Sequence, residues 1–225
     1  MARCRPCPRG APCGPGPVPG RARCRHGGVG VTGHPLRLFV AVPLPAVTRL
    51  DVARLLDPVT ALPGAERVRW VRTESLHLTL RFLGSTVPER VDAIRRAVDL
   101  VAAGERRADV VLGGGGAFPS PARPRVLWLG IVAGGERLEQ MAHALSVELE
   151  RVGWPPEGRP FRAHLTVART DAAPHAIGAR VAGELAGRAA GWTSTFAADR
   201  IVLFESRLRG GPARYAPLHE AGLGG

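Results

Sequence analysis

Two four-residue segments of this chain are nearly identical, and each has a histidine followed two residues later by a threonine. The first is His77–Leu80 (HLTL), and it recurs 87 residues later as His164–Val167 (HLTV). Both lie in runs that are typical of β-strands, in which successive side chains point to opposite faces. Each strand is therefore predicted to bury its aliphatic residues and to present an imidazole beside a hydroxyl. Such a repeat favours a fold that brings two similar strands together.

The repeated motif indicates acid and base chemistry on a phosphate. With two histidines, one imidazole can remove a proton while the other delivers one. The hydroxyls of Thr79 and Thr166 can donate hydrogen bonds to phosphoryl oxygens. Either copy alone is explained equally well as a histidine and a threonine on a solvated strand face. The composition of seven histidines and ten threonines in 225 residues, however, gives only about 0.3 His-x-Thr matches by chance, so two copies favour a functional role. Arg81 falls on the face of His77 if the alternation continues, and it is a candidate for binding phosphate charge.

The basic residues restrict the chemistry further. All 31 are arginine, and the lack of lysine excludes a phosphate-binding GxxxxGK loop, Schiff-base chemistry and a ligase with a nucleotidyl-lysine intermediate. The four consecutive glycines at 113–116 are then predicted to be only a flexible turn. A net charge of +12 favours polyanionic substrates such as RNA ends.

The N-terminal residues differ from the rest of the chain. Residues 1–34 are rich in Pro, Gly and Arg and poor in large apolar residues, so we expect a disordered tail before a folded domain at 35–225. We also expect translation to begin near Val31. The tail holds all the cysteines, and zinc binding is the less favoured alternative because the later ones lack paired zinc-knuckle spacing; these are Cys4, Cys7, Cys13 and Cys24.

Other classes of site and location are not indicated. The chain has no His-Glu-x-x-His or comparable ligand set, so neither a catalytic metal nor a cofactor is expected. It also lacks the apolar stretch of a signal peptide and any run long enough to span a membrane. We therefore expect a cytoplasmic monomer with no membrane partner.

The body of the chain alternates predicted strands and helices in two comparable halves. Strands are predicted at 36–42, 67–72, 76–83, 109–112, 125–132, 161–168, 200–206 and 213–218. Helices are predicted at 46–56, after the capping box at 86–89, at 136–152 and at 177–190. The fold class is thus α+β, with two similar lobes, each a β-sheet with flanking helices, around a central cleft that carries the two His-x-Thr motifs.

Besides the motif pair, five other segments of the chain carry a family resemblance: Leu36–Pro43, Phe82–Gly84, Arg125–Gly130, Glu205–Ser206 and Gly211–Tyr215. Together they resemble the two-histidine phosphoesterases, and most closely their bacterial RNA 2′,3′-cyclic phosphodiesterase branch, also called 2′-5′ RNA ligases. The resemblance covers residues 36–218. One departure is Ala163, where relatives usually have proline before the second histidine, and it removes no reacting group.

This resemblance implies that RNA 2′,3′-cyclic phosphodiester ends are hydrolysed to 2′-phosphomonoesters by metal-independent acid and base catalysis. It assigns His77 as proton donor and His164 as proton acceptor, a choice that the residues alone leave open. RNA ends or cyclic nucleotides are the implied partners. Two alternatives are a phosphodiesterase or ATP-independent ligase for other 2′-5′ or cyclic nucleotides, and an RNA-end binding module without turnover.

Overall fold

The two motif segments lie at the centre of one antiparallel sheet in a computed structural model that describes residues 34–207 and 214–224. Residues 1–33, which include the cysteines of the predicted tail, lie outside the described residues, and so do residues 208–213. The strands are β1 (Leu36–Pro43), β2 (Arg69–Trp70), β3 (His77–Thr86), β4 (Ala108–Phe118), β5 (Val126–Ala133), β6 (Leu165–Arg169), β7 (Thr193–Ala198), β8 (Arg200–Arg207) and β9 (Arg214–Gly222). The α-helices are α1 (Ala46–Thr60), α2 (Val91–Gly104), α3 (Gly135–Arg151) and α4 (His175–Ala189).

The order of the strands divides the sheet into two lobes. The order is β7-β4-β5-β6-β3-β1-β8-β9, and the short strand β2 pairs with the C-terminal end of β6. Helices α2 and α3 pack on the lobe of β3, β8 and β9, whereas α1 and α4 pack on the lobe of β4 and β7. The predicted two-lobed α+β fold is confirmed, and the sheets of the two lobes join where β3 meets β6.

The internal repeat exchanges elements between the lobes. Along the chain, α1-β3-α2-β4 is followed by the equivalent series α3-β6-α4-β8. Yet α1 and β4 pack in the lobe of β6, and α3 and β8 pack in the lobe of β3. Because neither half of the chain completes a lobe alone, the two motif strands are fixed next to each other.

The glycine run is part of a strand, so the predicted turn at 113–116 is wrong. These residues lie inside β4, between β5 and β7. A side chain at Gly116 would overlap the indole of Trp128, and a Cβ at Gly115 would lie 3.0 Å from the carbonyl oxygen of Leu185 in α4. Close packing on the two faces of the sheet explains Gly113, Gly115 and Gly116, and Gly114 occupies a β-bulge with a φ of +67°, so the run is not a turn.

The second motif strand is shorter than predicted. It begins at Leu165 instead of residue 161, and therefore His164 directly precedes β6. Residues 152–164, here called the lead-in segment, connect α3 to β6 without helix or strand. This segment contains Pro155, Pro156 and Pro160, which cannot donate ladder hydrogen bonds.

No helix within the described ranges is long and apolar enough to cross a membrane.

Candidate active site

Both motif histidines are held by the same kind of backbone hydrogen bond. Nδ1 of His77 lies 2.7 Å from the carbonyl oxygen of Ser75, and Nδ1 of His164 lies 2.7 Å from that of Arg162. A carbonyl oxygen only accepts, so Nδ1 carries a proton in each ring and Nε2 is left for proton transfer. Each neutral imidazole can accept a proton at Nε2, and each charged imidazole can donate one there.

The sheet register places each histidine level with the threonine of the other motif. The leucines that follow the two histidines pair with each other where β3 meets β6. Since residue numbers run in opposite directions along antiparallel strands, His77 is level with Thr166, and Thr79 is level with His164. All four side chains are half-buried. The structure thus brings the predicted imidazoles and hydroxyls into one cluster.

A β-bulge turns Arg81 away from this cluster. Thr79 pairs with Ala41, but Arg81 pairs with Val40, so Leu80 is an extra residue in β3. Arg81 therefore lies on the same face as Leu80, opposite the motif side chains, and only 3% of its surface is exposed. The prediction that Arg81 binds substrate charge assumed uninterrupted alternation, and it is wrong for this strand.

The partners of Arg81 confirm this orientation. Its Nη1 donates to Oγ of Ser146 in α3 at 3.3 Å, and its Nη2 donates to the carbonyl oxygen of Pro155 in the lead-in segment. Helix α3 packs on β3 through the apolar face of the sheet. The guanidinium is consequently separated from the two imidazoles by the sheet itself.

An equivalent bulge in β6 brings a different arginine to the site. The ladder with β5 includes Thr166 and Ala168 but skips Val167. Arg169 therefore returns to the face of Thr166, and it is exposed. Burial raises the pKa of Tyr215, whose ring packs edge-on against that of His77, and the positive charge of Arg169 opposes this shift. Strict alternation put Arg169 on the buried face, so sequence analysis missed it.

His77 lies in an aromatic pocket of its own lobe. The centroid of its ring is 4.8 Å from that of Phe39 and 5.0 Å from that of Tyr215, which meets it edge-on. Burial lowers the pKa of His77, the hydrogen bond to Ser75 opposes this effect, and the charge of His164 adds to it. The free protein therefore favours the neutral form of His77.

His164 lies against a matching aromatic pair in the other lobe. The ring of Phe118 meets the imidazole edge-on with centroids 5.3 Å apart, and Trp128 lies 5.2 Å from Phe118. In the first lobe Phe39 and Phe204 are stacked with ring centroids 5.3 Å apart, whereas the Phe118 and Trp128 rings are tilted. Sequence analysis gave these rings no role: Phe39, Trp128 and Phe204 belong to strands that it predicted, whereas Phe118 lies beyond the strand predicted at 109–112.

Taken together, these groups suit a reaction of a phosphate ester in which protons are removed and delivered. Two imidazoles can transfer protons, while two hydroxyls and the Arg169 guanidinium can bind anionic oxygens. Burial raises the pKa of Tyr215, so its hydroxyl remains a hydrogen-bond donor at neutral pH. Among the described residues, no group of three or more His, Cys, Asp or Glu side chains is arranged to hold a metal ion.

Comparison with known proteins gives consistent matches. A family model described as LigT like Phosphoesterase matches residues 42–128 and again 129–213. The RNA 2′,3′-cyclic phosphodiesterase of Archaeoglobus fulgidus is 35% identical over 134 residues, which are 60% of this chain and 72% of that protein. The Escherichia coli protein of the same name is 31% identical over 82% of this chain and 94% of its own length.

Solved structures show the same fold. E. coli LigT in its apo form superposes with a TM-score of 0.67 at 28% identity, covering 86% of this chain and all of the other. E. coli LigT complexed with 3′-AMP also gives a TM-score of 0.67 at 28% identity, over 84% of this chain and 98% of that one. The two matches of the family model correspond to the two repeats of the fold.

Proposed function

The chain belongs to the LigT-like phosphoesterase family, and we propose that it hydrolyses RNA 2′,3′-cyclic phosphodiester ends to 2′-phosphomonoesters. The observation that carries this proposal is the pair of imidazoles, each anchored through Nδ1 so that Nε2 remains for proton transfer. The relatives named RNA 2′,3′-cyclic phosphodiesterase support the substrate class. The complex of E. coli LigT with 3′-AMP supports a nucleotide at the site.

Opening the cyclic phosphate requires two proton transfers, one at the attacking water and one at the leaving oxygen, which lie on opposite sides of the phosphorus. Water attacks phosphorus and loses a proton to His164, while His77 protonates the departing 3′ oxygen. The oxygen at the 2′ position stays bonded to phosphorus, which gives the 2′-phosphomonoester. Because an anion near an imidazole favours its charged form, the bound phosphodiester counteracts the effect of burial on His77.

The non-bridging oxygens of the phosphate need hydrogen-bond donors during this reaction. Thr79 and Thr166 supply one hydroxyl each beside the opposite motif's histidine. Arg169 supplies a guanidinium, whose planar donors match phosphate oxygens. These groups act mainly by stabilising charge that develops in the transition state.

The pH dependence of kcat/KM in the presence of EDTA tests the mechanism. We expect full activity on a 2′,3′-cyclic nucleotide with EDTA and a bell-shaped profile, since one histidine must be charged and the other neutral. With His77 as donor, activity falls as pH rises through its pKa, which burial holds below the ordinary histidine value. The assay resolves 2′- from 3′-phosphate products. Activity that EDTA abolishes and a divalent ion restores would contradict this mechanism.

Removing either threonine hydroxyl should have a moderate effect. We expect Thr79→Val and Thr166→Val each to lower kcat/KM about 10-fold, because each loses one hydrogen bond to an anionic oxygen while keeping the side-chain shape. Thr79→Ser and Thr166→Ser retain the hydroxyl and serve as controls with nearly normal activity. Equal losses in the Val and Ser variants would show that packing, not hydrogen bonding, is the contribution of these residues.

A further inference from the structure

We propose that Arg81 is a positioning residue that fixes His164 by fastening the lead-in segment to the strand that carries His77. The inference rests on the proposed function, because the position of His164 affects turnover only if this imidazole transfers protons. Arg81 acts through the backbone of the segment and does not touch the reacting atoms, since it lies on the other face of the sheet.

The two histidines differ in how the chain delivers them. His77 is the first residue of β3 and pairs with Pro43 of β1, at the start of a ladder that continues along the strand. His164 precedes β6 and follows the irregular lead-in segment. Regular pairing therefore fixes His77 itself, whereas His164 is joined to the sheet only on its C-terminal side, through Leu165, and on its N-terminal side depends on what holds the lead-in segment.

Side chains from the first repeat provide this attachment at two places. Near the start of the segment, Arg90 lies 3.6 Å above the ring of Trp154 and donates to the carbonyl oxygen of Val152 at 2.6 Å. Three residues later in the segment, Arg81 donates to the carbonyl oxygen of Pro155. Proline has no backbone donor, and its carbonyl is thus the group through which the segment can be held at this point.

Glu157 completes the attachment to β3. Its Oε1 accepts a hydrogen bond from the backbone N–H of Phe82 at 3.1 Å and lies 3.9 Å from Nε of Arg81. Beyond its single pair with β6, this edge of β3 has no neighbouring strand among the described residues, and the carboxylate binds an N–H that the ladder does not use. Two adjacent residues of β3 therefore hold two positions of the segment.

The burial of Arg81 indicates a geometric role. Its side chain is 4% exposed, and Nε has no hydrogen-bond partner within the described ranges. Burying a guanidinium with incomplete pairing contributes little net stability, and an apolar side chain of similar size can replace such a group without loss. What an apolar side chain cannot supply is the bond to Pro155. We therefore expect substitution of Arg81 to affect the position of His164 more than the stability of the fold.

The test compares Arg81→Met with Arg81→Lys. The methionine keeps the apolar stem and loses every donor, so kcat on a 2′,3′-cyclic nucleotide should fall about 10-fold or more while KM changes less than about threefold, since small displacements of a catalytic group lower the chemical step most. Lysine can still donate to the Pro155 carbonyl and should restore most of the loss. Ser194→Ala removes another buried side-chain bond, to Asp51 at 2.9 Å, and should leave kcat within about twofold.

A second readout does not depend on any substrate. In histidine-selective NMR spectra, Arg81→Met should shift the ring signals of His164 more than those of His77, and Arg81→Lys should return them toward the wild-type positions. If the wild-type protein fails to hydrolyse the cyclic nucleotide, the proposed function is wrong, and these spectra still test the positioning role.

Two results would overturn the proposal. One is an Arg81→Met protein with kcat within twofold of wild type and unchanged His164 signals. The other is an equal loss of kcat in Ser194→Ala, because general destabilisation would then explain both. If Arg81→Met does not fold, Glu157→Ala replaces it, as this partly exposed residue can be removed without emptying the core. It should shift the His164 signals and lower kcat about threefold, and the absence of both changes would also contradict the proposal.

Discussion

His77→Ala and His164→Ala should each lower kcat for 2′,3′-cyclic nucleotide hydrolysis by about 10²-fold or more, since general acid or base catalysis contributes 10² to 10⁴. The two imidazoles are anchored in the same way, and each has Nε2 left for proton transfer. Because one must accept a proton while the other donates one, neither can replace the other. Both are half-buried, and circular dichroism and melting temperature should show that each variant keeps the fold. Wild-type turnover in either variant would contradict the two-histidine mechanism.

The residual activity of these variants also assigns the two roles. If His77 is the donor, His77→Ala should lose the decline of kcat/KM at high pH and keep the decline at low pH, and His164→Ala should do the reverse. Interchanged results would make His77 the acceptor, a role that its lowered pKa also suits. His219→Ala is the matched control, because this histidine is bonded to Asp99 at 2.6 Å outside the site, and its removal should leave the profile unchanged.

The sequence was sufficient to predict the motif pair and the two-lobed fold because these depend on local alternation and on an internal repeat. It was not sufficient for the residues that follow each motif. An extra residue at Leu80 and another at Val167 change which side chains face the site. A bulge depends on the register with a neighbouring strand, which is a tertiary property. This is why Arg81 was chosen and Arg169 was missed.

The second motif strand was predicted to begin too early, because its start also depends on tertiary pairing. Residues 161–164 were predicted as the start of a strand, but β3 pairs with β6 at a single position, and within the described part of the chain these residues pair with no strand. Glycines 113–116 were misassigned for the opposite reason. Trp128 and α4 fill the space that side chains at Gly116 and Gly115 would take, and a β-bulge accommodates Gly114. In both cases the deciding contacts join parts of the chain that are distant in sequence.

Arg169→Met should lower kcat/KM by about 10-fold to 10²-fold, because a hydrogen bond to a charged group contributes about 1.5 to 3 kcal/mol. The variant removes the cation but keeps a long apolar side chain on the face of Thr166. Kinetics on a 2′,3′-cyclic nucleotide would separate the effect on KM from that on kcat. A loss in both parameters means that the guanidinium binds the phosphate before and during the reaction.

The adjacent Arg69 provides a matched control for this prediction. It pairs directly with Arg169 in the ladder between β2 and β6, so the two side chains lie on the same face. The guanidinium of Arg69, however, is bonded to Asp171, and the same contact lowers the pKa of that carboxyl group. We therefore expect Arg69→Met to change kcat/KM less than about threefold. A larger loss in Arg69→Met than in Arg169→Met would show that the phosphate binds at the β2 edge, and the bulge in β6 would then not explain which cation serves the site.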